Sequence, residues 1–145
     1  MLKGIHPLLT PDLLRCLAAM GHGDEVAIVD ANFPARRLGA VVIDIAGASA
    51  PEVLAAVLTL LPLDTDTVPV AITMQVIGNP DAVPEAVTEF SALLTRHEPG
   101  ARIGHLDRMS FYERARGAAA IVRTGELRPY GNVILVKGVV NEYRS

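Results

Sequence analysis

The sequence predicts an α/β fold: a single layered domain with a mixed β-sheet flanked by helices. Amphipathic helical segments alternate with apolar strand segments along the chain, as expected when helices pack on a sheet. Apolar residues make up 50% of the 145 residues and charged residues 20%, a balance that favours a folded core. A chain of this length buries enough surface to fold without a disulfide or metal, so we expect one domain over residues 1–145.

Four helices are predicted from capping residues and helical spacing. Thr10 is an N-cap residue followed directly by a proline and an acid, which favours a helix start. Ser49 and Glu52 form a capping-box pattern at the start of a second helix. A third amphipathic helix is predicted from Pro84, and a fourth over residues 109–116.

Six strands are predicted from apolar runs. The run 25–29 ends at Asp30, so that a polar side chain emerges where the strand ends. Residues 68–77 are almost uninterrupted apolar and β-branched residues, which is typical of a central strand covered on both faces. The last strand, 132–140, is predicted to be long. The other predicted strands cover residues 40–45, 102–106 and 119–123.

Charge and hydropathy exclude several classes of partner. The formal net charge is −3 and the isoelectric point about 5.8, so no basic field favours nucleic acid or anionic lipid. No apolar run reaches 18 residues, and the prolines and charges near the N-terminus interrupt any signal-peptide pattern. The lone Cys16 cannot form an internal disulfide, which favours a cytoplasmic location.

Three polar clusters lie where predicted strands and helices meet, the usual place for a functional site. His22 lies between two glycines and is either an acid–base group or a turn residue. Asp30 could accept sugar hydrogen bonds or act as a general base, or it could close an Asx turn. Tyr130 and Asn132 flank a glycine that permits close approach of a ligand, although a plain turn would have the same pattern.

Other chemistries have no support in the sequence. The four His residues lack metal-ligand spacing, and Cys16 has no flanking catalytic pattern. No G-x-S-x-G, P-loop or G-x-G-x-x-G motif is present. Arg108 and Tyr112 add a guanidinium and a second phenol to the candidate polar groups.

Several motifs together resemble the fucose mutarotase branch of the ribose pyranase/fucose mutarotase family. They are GHGDE (21–25), DANFPA (30–35), RMSFYERA (108–115), TGE (124–126) and YGNVILVKGV (130–139). Their order and separations are preserved over nearly the whole chain, and the stretch 75–98 resembles the family least. Gly131 and the sequence FYER both favour the fucose branch over the pyranase branch.

The resemblance implies a ribose pyranase/fucose mutarotase-like fold and a cofactor-independent isomerase, with neither a metal nor an organic cofactor. The enzyme would interconvert the α and β anomers of a free monosaccharide, with L-fucose as the expected sugar. His22 would be the general acid, and the sugar would be bound by Asp30, Arg108, Tyr130 and Asn132, with Tyr112 as a further candidate. The resemblance also implies a ring-shaped homo-oligomer, often a decamer, whose sites lie near subunit interfaces.

The proposed chemistry suits these residues. Opening a cyclic hemiacetal delivers a proton to the ring oxygen while the anomeric hydroxyl loses one, and closure on the other face reverses both transfers. Imidazole exchanges protons near neutral pH, and a well-placed acid–base group contributes about 10²–10⁴-fold in rate. The base at the anomeric hydroxyl stays open between Asp30, Tyr130 and water. Two alternatives are a pyranose-to-furanose exchange on D-ribose and a non-catalytic monosaccharide-binding protein.

Overall fold

The computed structural model describes residues 1–39, 41–66 and 69–143. The described residues form six strands: β1 (Glu25–Val29), β2 (Val42–Ile45), β3 (Ala71–Met74), β4 (Ile103–Leu106), β5 (Ala120–Thr124) and β6 (Val133–Val136). The α-helices are α1 (Pro11–Ala19), α2 (Ala50–Leu58), α3 (Glu85–His97) and α4 (Arg108–Arg116), and a short 3-10 helix covers Arg36–Leu38. The predicted α/β class with a mixed sheet is therefore confirmed.

The helices begin where their capping side chains predict. Thr10 Oγ1 accepts a hydrogen bond from the backbone N–H of Leu13. The reciprocal capping box is formed, because Ser49 Oγ accepts from the Glu52 N–H while the Glu52 carboxylate accepts from the Ser49 N–H. Asp107 caps α4, which places Arg108 at its first position, one residue before the predicted start.

The sheet has the strand order β2-β5-β1-β6-β3-β4. β1, β2 and β5 run parallel, and β3 runs parallel to β4. β6 pairs antiparallel with both β1 and β3, so it is the single described strand that runs in the opposite direction. The carboxyl ends of five strands therefore meet the start of β6 along one edge of the sheet. Ligands commonly bind along that edge of an open α/β sheet.

Both faces of the sheet are covered. Val26 and Ile28 of β1 pack into a core with α1, α2 and α3, whereas Ala27 and Val29 pack on the other face with α4. Because successive side chains of a strand point to opposite faces, the uninterrupted apolar run of β1 is what a two-sided core requires.

Two predicted strands differ in extent from the observed ones. The long strand predicted over 132–140 is wrong, because β6 ends at Val136 and Lys137 instead bridges to Leu63. Gly138 lies so close to that segment that a Cβ there would stand 2.3 Å from the Leu63 carbonyl oxygen. β3 is shorter than the predicted 68–77 because the chain turns after Met74. It lies inside the sheet, between β6 and β4, and all four of its residues are buried, as predicted for a strand covered on both faces. Of the predicted strand residues, 40 and 68 lie outside the described ranges.

Candidate active site

A cavity of about 300 Å³ opens at the sheet edge where the five parallel strands end and β6 begins. Asp30 follows β1, Arg108 follows β4, and Asn132 directly precedes β6, so the topology brings them together from distant parts of the chain. All five predicted binding residues line this cavity: Asp30, Arg108, Tyr112, Tyr130 and Asn132. The other lining residues are Asn32, Phe33, Pro34, Met74, Ile77, Leu127, Arg128 and Pro129.

Asp30 lines the cavity and is 8% exposed. Its Oδ1 accepts a hydrogen bond from the Asn32 N–H at 3.0 Å, so the Asx turn predicted as an alternative is formed. Burial raises the pKa of the Asp30 carboxyl, and hydrogen bonds from the Asn32 backbone and the Asn132 side chain oppose that rise. The carboxyl therefore organises the turn and also faces the cavity.

Asn132 holds Asp30 in place. Its side-chain oxygen accepts a hydrogen bond from the Asp30 N–H at 2.8 Å, and both residues are buried. The same side chain hydrogen-bonds to the Asp30 carboxyl. Asn132 thus fixes the position of the carboxyl as well as lining the site.

Tyr130 has a left-handed backbone conformation, with φ of 58°. This conformation costs a non-glycine residue about 1–3 kcal/mol, and such residues concentrate at functional sites. Its hydroxyl oxygen accepts a hydrogen bond from the Ile77 N–H at 3.2 Å. The hydroxyl hydrogen is left to donate to a ligand.

Helix α4 lines another part of the cavity with Arg108 and Tyr112. Tyr112 packs edge-on against Phe33, with ring centroids 5.3 Å apart, and Phe33 contacts Phe111 at 5.9 Å in the same manner. Arg108 is exposed at the cavity, and within the described ranges it has no carboxylate as an ion-pair partner. A guanidinium in that state is available to hydroxyl groups of a ligand.

His22 lies at the other edge of the sheet, before β1 begins. It occupies a turn in which the Gly21 N–H donates to Asp24 Oδ2 at 2.7 Å and Gly23 has φ of 84°. Its Nε2 is 3.2 Å from Oδ2 of the buried Asp64, and its side chain is 55% exposed. β1 alone separates His22 from Asp30 by roughly 13 Å at about 3.3 Å per residue. A single chain therefore does not bring His22 to the cavity.

The sequence did not indicate three charged residues that lie around the cavity and the His22 turn. Glu126 and Arg128 form an ion pair beside the cavity, and Asp64 contacts His22. The motif TGE includes Glu126, but nothing in the local pattern indicated its partners.

Among the described residues no group of three or more His, Cys, Asp or Glu side chains could hold a metal ion. No helix in the described part of the chain is long and apolar enough to cross a membrane.

Comparisons with known proteins place the chain in a family. It is 43% identical over 141 residues to an L-fucose mutarotase of Histophilus somni (strain 2336), covering 96% of this chain and 97% of that one. A crystal structure of the Streptococcus pneumoniae fucose mutarotase in complex with L-fucose matches with a TM-score of 0.90 at 39% identity, over 96% of this chain and 99% of that one. Bacillus subtilis RbsD complexed with D-ribose matches with a TM-score of 0.73 at 26% identity, over 97% and 99%. Residues 3–140 match the model of the RbsD / FucU transport protein family, and the chain belongs to that family.

Proposed function

We propose that the protein is a sugar mutarotase, an isomerase that interconverts the α and β anomers of L-fucose. The observation that carries the proposal is the cavity at the sheet edge, where Asp30, Arg108 and Tyr130 converge in a fold that matches a fucose-bound mutarotase at a TM-score of 0.90. Its volume of about 300 Å³ is at the small end of the range for ligand sites, as a monosaccharide requires.

The cavity offers complementary groups to a sugar. Arg108 can only donate hydrogen bonds, an ionised Asp30 can only accept them, and the Tyr130 hydroxyl still has its hydrogen to donate. Donors and acceptors at fixed positions orient the hydroxyl groups of the sugar. A site built to hydrogen-bond a hydroxyl also discriminates against a ligand that lacks it. An ionised Asp30 or a water molecule can take the proton of the anomeric hydroxyl, whereas Tyr130 can do so only while passing its own hydrogen on.

The proton for the ring oxygen comes from His22 of a second copy of the chain. This step is supported by the position of His22, which is half-exposed at the sheet edge opposite the cavity and anchored by Asp64. The cavity of one copy and the imidazole of another then form one site. The assembly we propose is a ring-shaped homo-oligomer, a decamer by family resemblance, with its sites near the subunit interfaces.

We further propose that residues 1–145 form one mutarotase domain. It acts on a free monosaccharide without a cofactor, and its location is the cytoplasm. The lone Cys16 supports that location, because cytosolic proteins usually keep thiols reduced. The acidic net charge supports a partner that is neither nucleic acid nor a membrane.

Saturation-transfer NMR on L-fucose and D-ribose tests the proposal directly. Irradiating the α-anomer proton should lower the β-anomer signal of L-fucose in the presence of protein, at a rate above that in buffer. Faster exchange between ribose pyranose and furanose forms would instead support the pyranase alternative, which the 26% identity to the ribose-bound relative favours less. Binding without accelerated exchange of either sugar would support the non-catalytic alternative and contradict the enzyme.

A further inference from the structure

The segment between β5 and β6 supplies five lining residues of the cavity, among them Tyr130 and Asn132, and it also contains a buried carboxylate. Glu126 is 4% exposed and makes three contacts with Arg128. Its Oε2 accepts from the Arg128 backbone N–H and from Nε, each at 3.1 Å, and its Oε1 accepts from Nη2 at 2.8 Å. One side chain thereby fixes both the backbone and the guanidinium of a residue two positions from Tyr130.

The backbone of Glu126 fixes the neighbouring wall. Its carbonyl oxygen accepts a hydrogen bond from the N–H of Ala31, the residue that follows Asp30, at 2.9 Å. Its own N–H donates to Thr124 Oγ1 at 3.2 Å. Glu126 therefore connects the strand end that carries Asp30 to the loop that carries Tyr130.

The loop packs closely on the Glu126 side chain at Gly131. A Cβ added to Gly131 would stand 2.8 Å from Glu126 Cγ, so the loop folds directly over the Glu126 side chain. The ion pair with Arg128 lowers the pKa of the Glu126 carboxyl, so the contact is charged at neutral pH. Charged hydrogen bonds to a backbone N–H are among the stronger ones in proteins.

Arg128 has two further carboxylate partners, and they differ from Glu126 in burial. Glu85 and Glu89 of α3 contact Arg128 Nη1, but their side chains are 80% and 48% exposed. Exposed ion pairs contribute little to stability, whereas removing one partner of a buried pair such as Glu126–Arg128 is strongly destabilising. Glu89 is thus a matched control, since it carries the same charge to the same guanidinium from the surface.

We propose that Glu126 is a positioning residue of the sugar site: it keeps Tyr130 in its left-handed conformation at a fixed distance from Asp30. The proposal rests on the sugar-binding role of the cavity given above. Glu126 itself does not line the cavity. Without its carboxylate the loop relaxes, the Tyr130 hydroxyl moves from the position set by Ile77, and the sugar loses a directional contact.

The test compares Glu126→Gln with Glu89→Gln by saturation-transfer NMR, well below the thermal transition of each variant. We expect Glu126→Gln to raise the KM for L-fucose about tenfold with a smaller change in kcat, and Glu89→Gln to leave KM within about twofold. If Glu126 acts through Tyr130, the KM effect of Glu126→Gln shrinks in a Tyr130→Phe background. An unchanged KM in Glu126→Gln, or an undiminished effect in the Tyr130→Phe background, overturns the proposal.

A second variant and a second measurement keep the outcomes separate. Should Glu126→Gln not fold, Arg128→Lys keeps the charge but loses the two-nitrogen contact. Because Arg128 also lines the cavity, this variant must raise KM and must do so less in the Tyr130→Phe background. L-Fucose affinity measured by chemical-shift titration does not depend on turnover. Wild-type protein that binds but does not exchange the sugar contradicts the mutarotase function alone, and Glu126→Gln must still bind more weakly. Wild-type protein that neither binds nor exchanges overturns both.

Discussion

At the residue scale, the site depends on the carboxyl group of Asp30, which is buried although a charged carboxylate is more stable in water. Asp30 is buried, which raises its pKa, while the Asn32 backbone and the Asn132 side chain supply hydrogen bonds that favour the charged form. The balance leaves a carboxylate that takes up a proton at a higher pH than an ordinary aspartate. A protonated carboxyl loses acceptor capacity for sugar hydroxyls.

The raised pKa of Asp30 predicts how the affinity for L-fucose falls at acidic pH. As pH falls, Asp30 becomes protonated at a pH above the usual Asp value of about 3.9, so the affinity for L-fucose should decline earlier than a normal aspartate would allow. Chemical-shift titrations of L-fucose between pH 4 and 7 measure the decline. Asp30→Asn cannot titrate and should bind weakly with no such limb. Wild-type affinity that is constant down to the usual Asp range would contradict the assignment.

His22 gives a second prediction at this scale. His22→Ala should abolish accelerated anomer exchange yet lower the thermal midpoint by only about 1–2 °C, because an exposed turn residue contributes little packing. Exchange is measured by saturation transfer and stability by calorimetry. The control is His6→Ala, another exposed histidine, which should retain full exchange. Normal exchange in His22→Ala would remove the imidazole from the mechanism.

At the element scale, the loop between β5 and β6 packs too closely at Gly131 to accept a larger side chain without a shift. A Cβ added at Gly131 would stand 2.8 Å from Glu126 Cγ. Contacts this short force the neighbour to move, and overpacking costs typically 1–3 kcal/mol. The displaced neighbour is the residue that anchors Arg128 and Ala31.

Gly131→Ala should therefore weaken L-fucose binding and destabilise the fold by about 1–3 kcal/mol. Urea unfolding gives the stability change and chemical-shift titration gives the affinity. Gly47→Ala is a suitable control, because a Cβ at residue 47 would meet no atom within 4 Å. Wild-type affinity and stability in Gly131→Ala would show that the loop can rearrange at no cost.

The elements also show which features a sequence can reveal. Ser49 with Glu52 predicted the start of α2 because a capping box is complete within four residues. The end of β6 was not predictable, because it depends on Lys137 pairing with Leu63, more than seventy residues earlier. The roles of Glu126 and Arg128 were hidden for the same reason, since two of the Arg128 partners lie on α3. Five of the residues that line the cavity were predicted from family resemblance, and the convergence of those next to strand ends follows from strand direction.

At the scale of the whole molecule, the sheet separates the two halves of the proposed site. The cavity lies at the edge where β1 ends, and His22 lies where β1 begins, so the rigid central strand holds them apart. A site that needs both must combine two copies of the chain. In a closed symmetric oligomer each copy can then give its imidazole to one neighbour and receive one from another.

Mixed oligomers test this arrangement. His22→Ala should be inactive alone because it lacks the imidazole. Arg108→Ala should show little exchange at L-fucose concentrations well below the wild-type KM, because it lacks a sugar-binding guanidinium. Co-expressed in equal amounts, they should recover about a quarter of wild-type exchange, since random pairing unites an intact cavity with an intact His22 in one site of four. Exchange is measured on the co-purified protein. No recovery in oligomers shown to contain both chains would contradict a shared site.

Because His22 precedes β1, at the opposite end of that strand from the cavity, activity should depend on protein concentration. If the site is shared, catalysis would depend on concentration: on dilution below the dissociation constant of the oligomer, turnover per chain would fall. A cell that makes little of this protein would gain almost no anomer exchange from it. Expression level, rather than substrate alone, would then set when the reaction switches on.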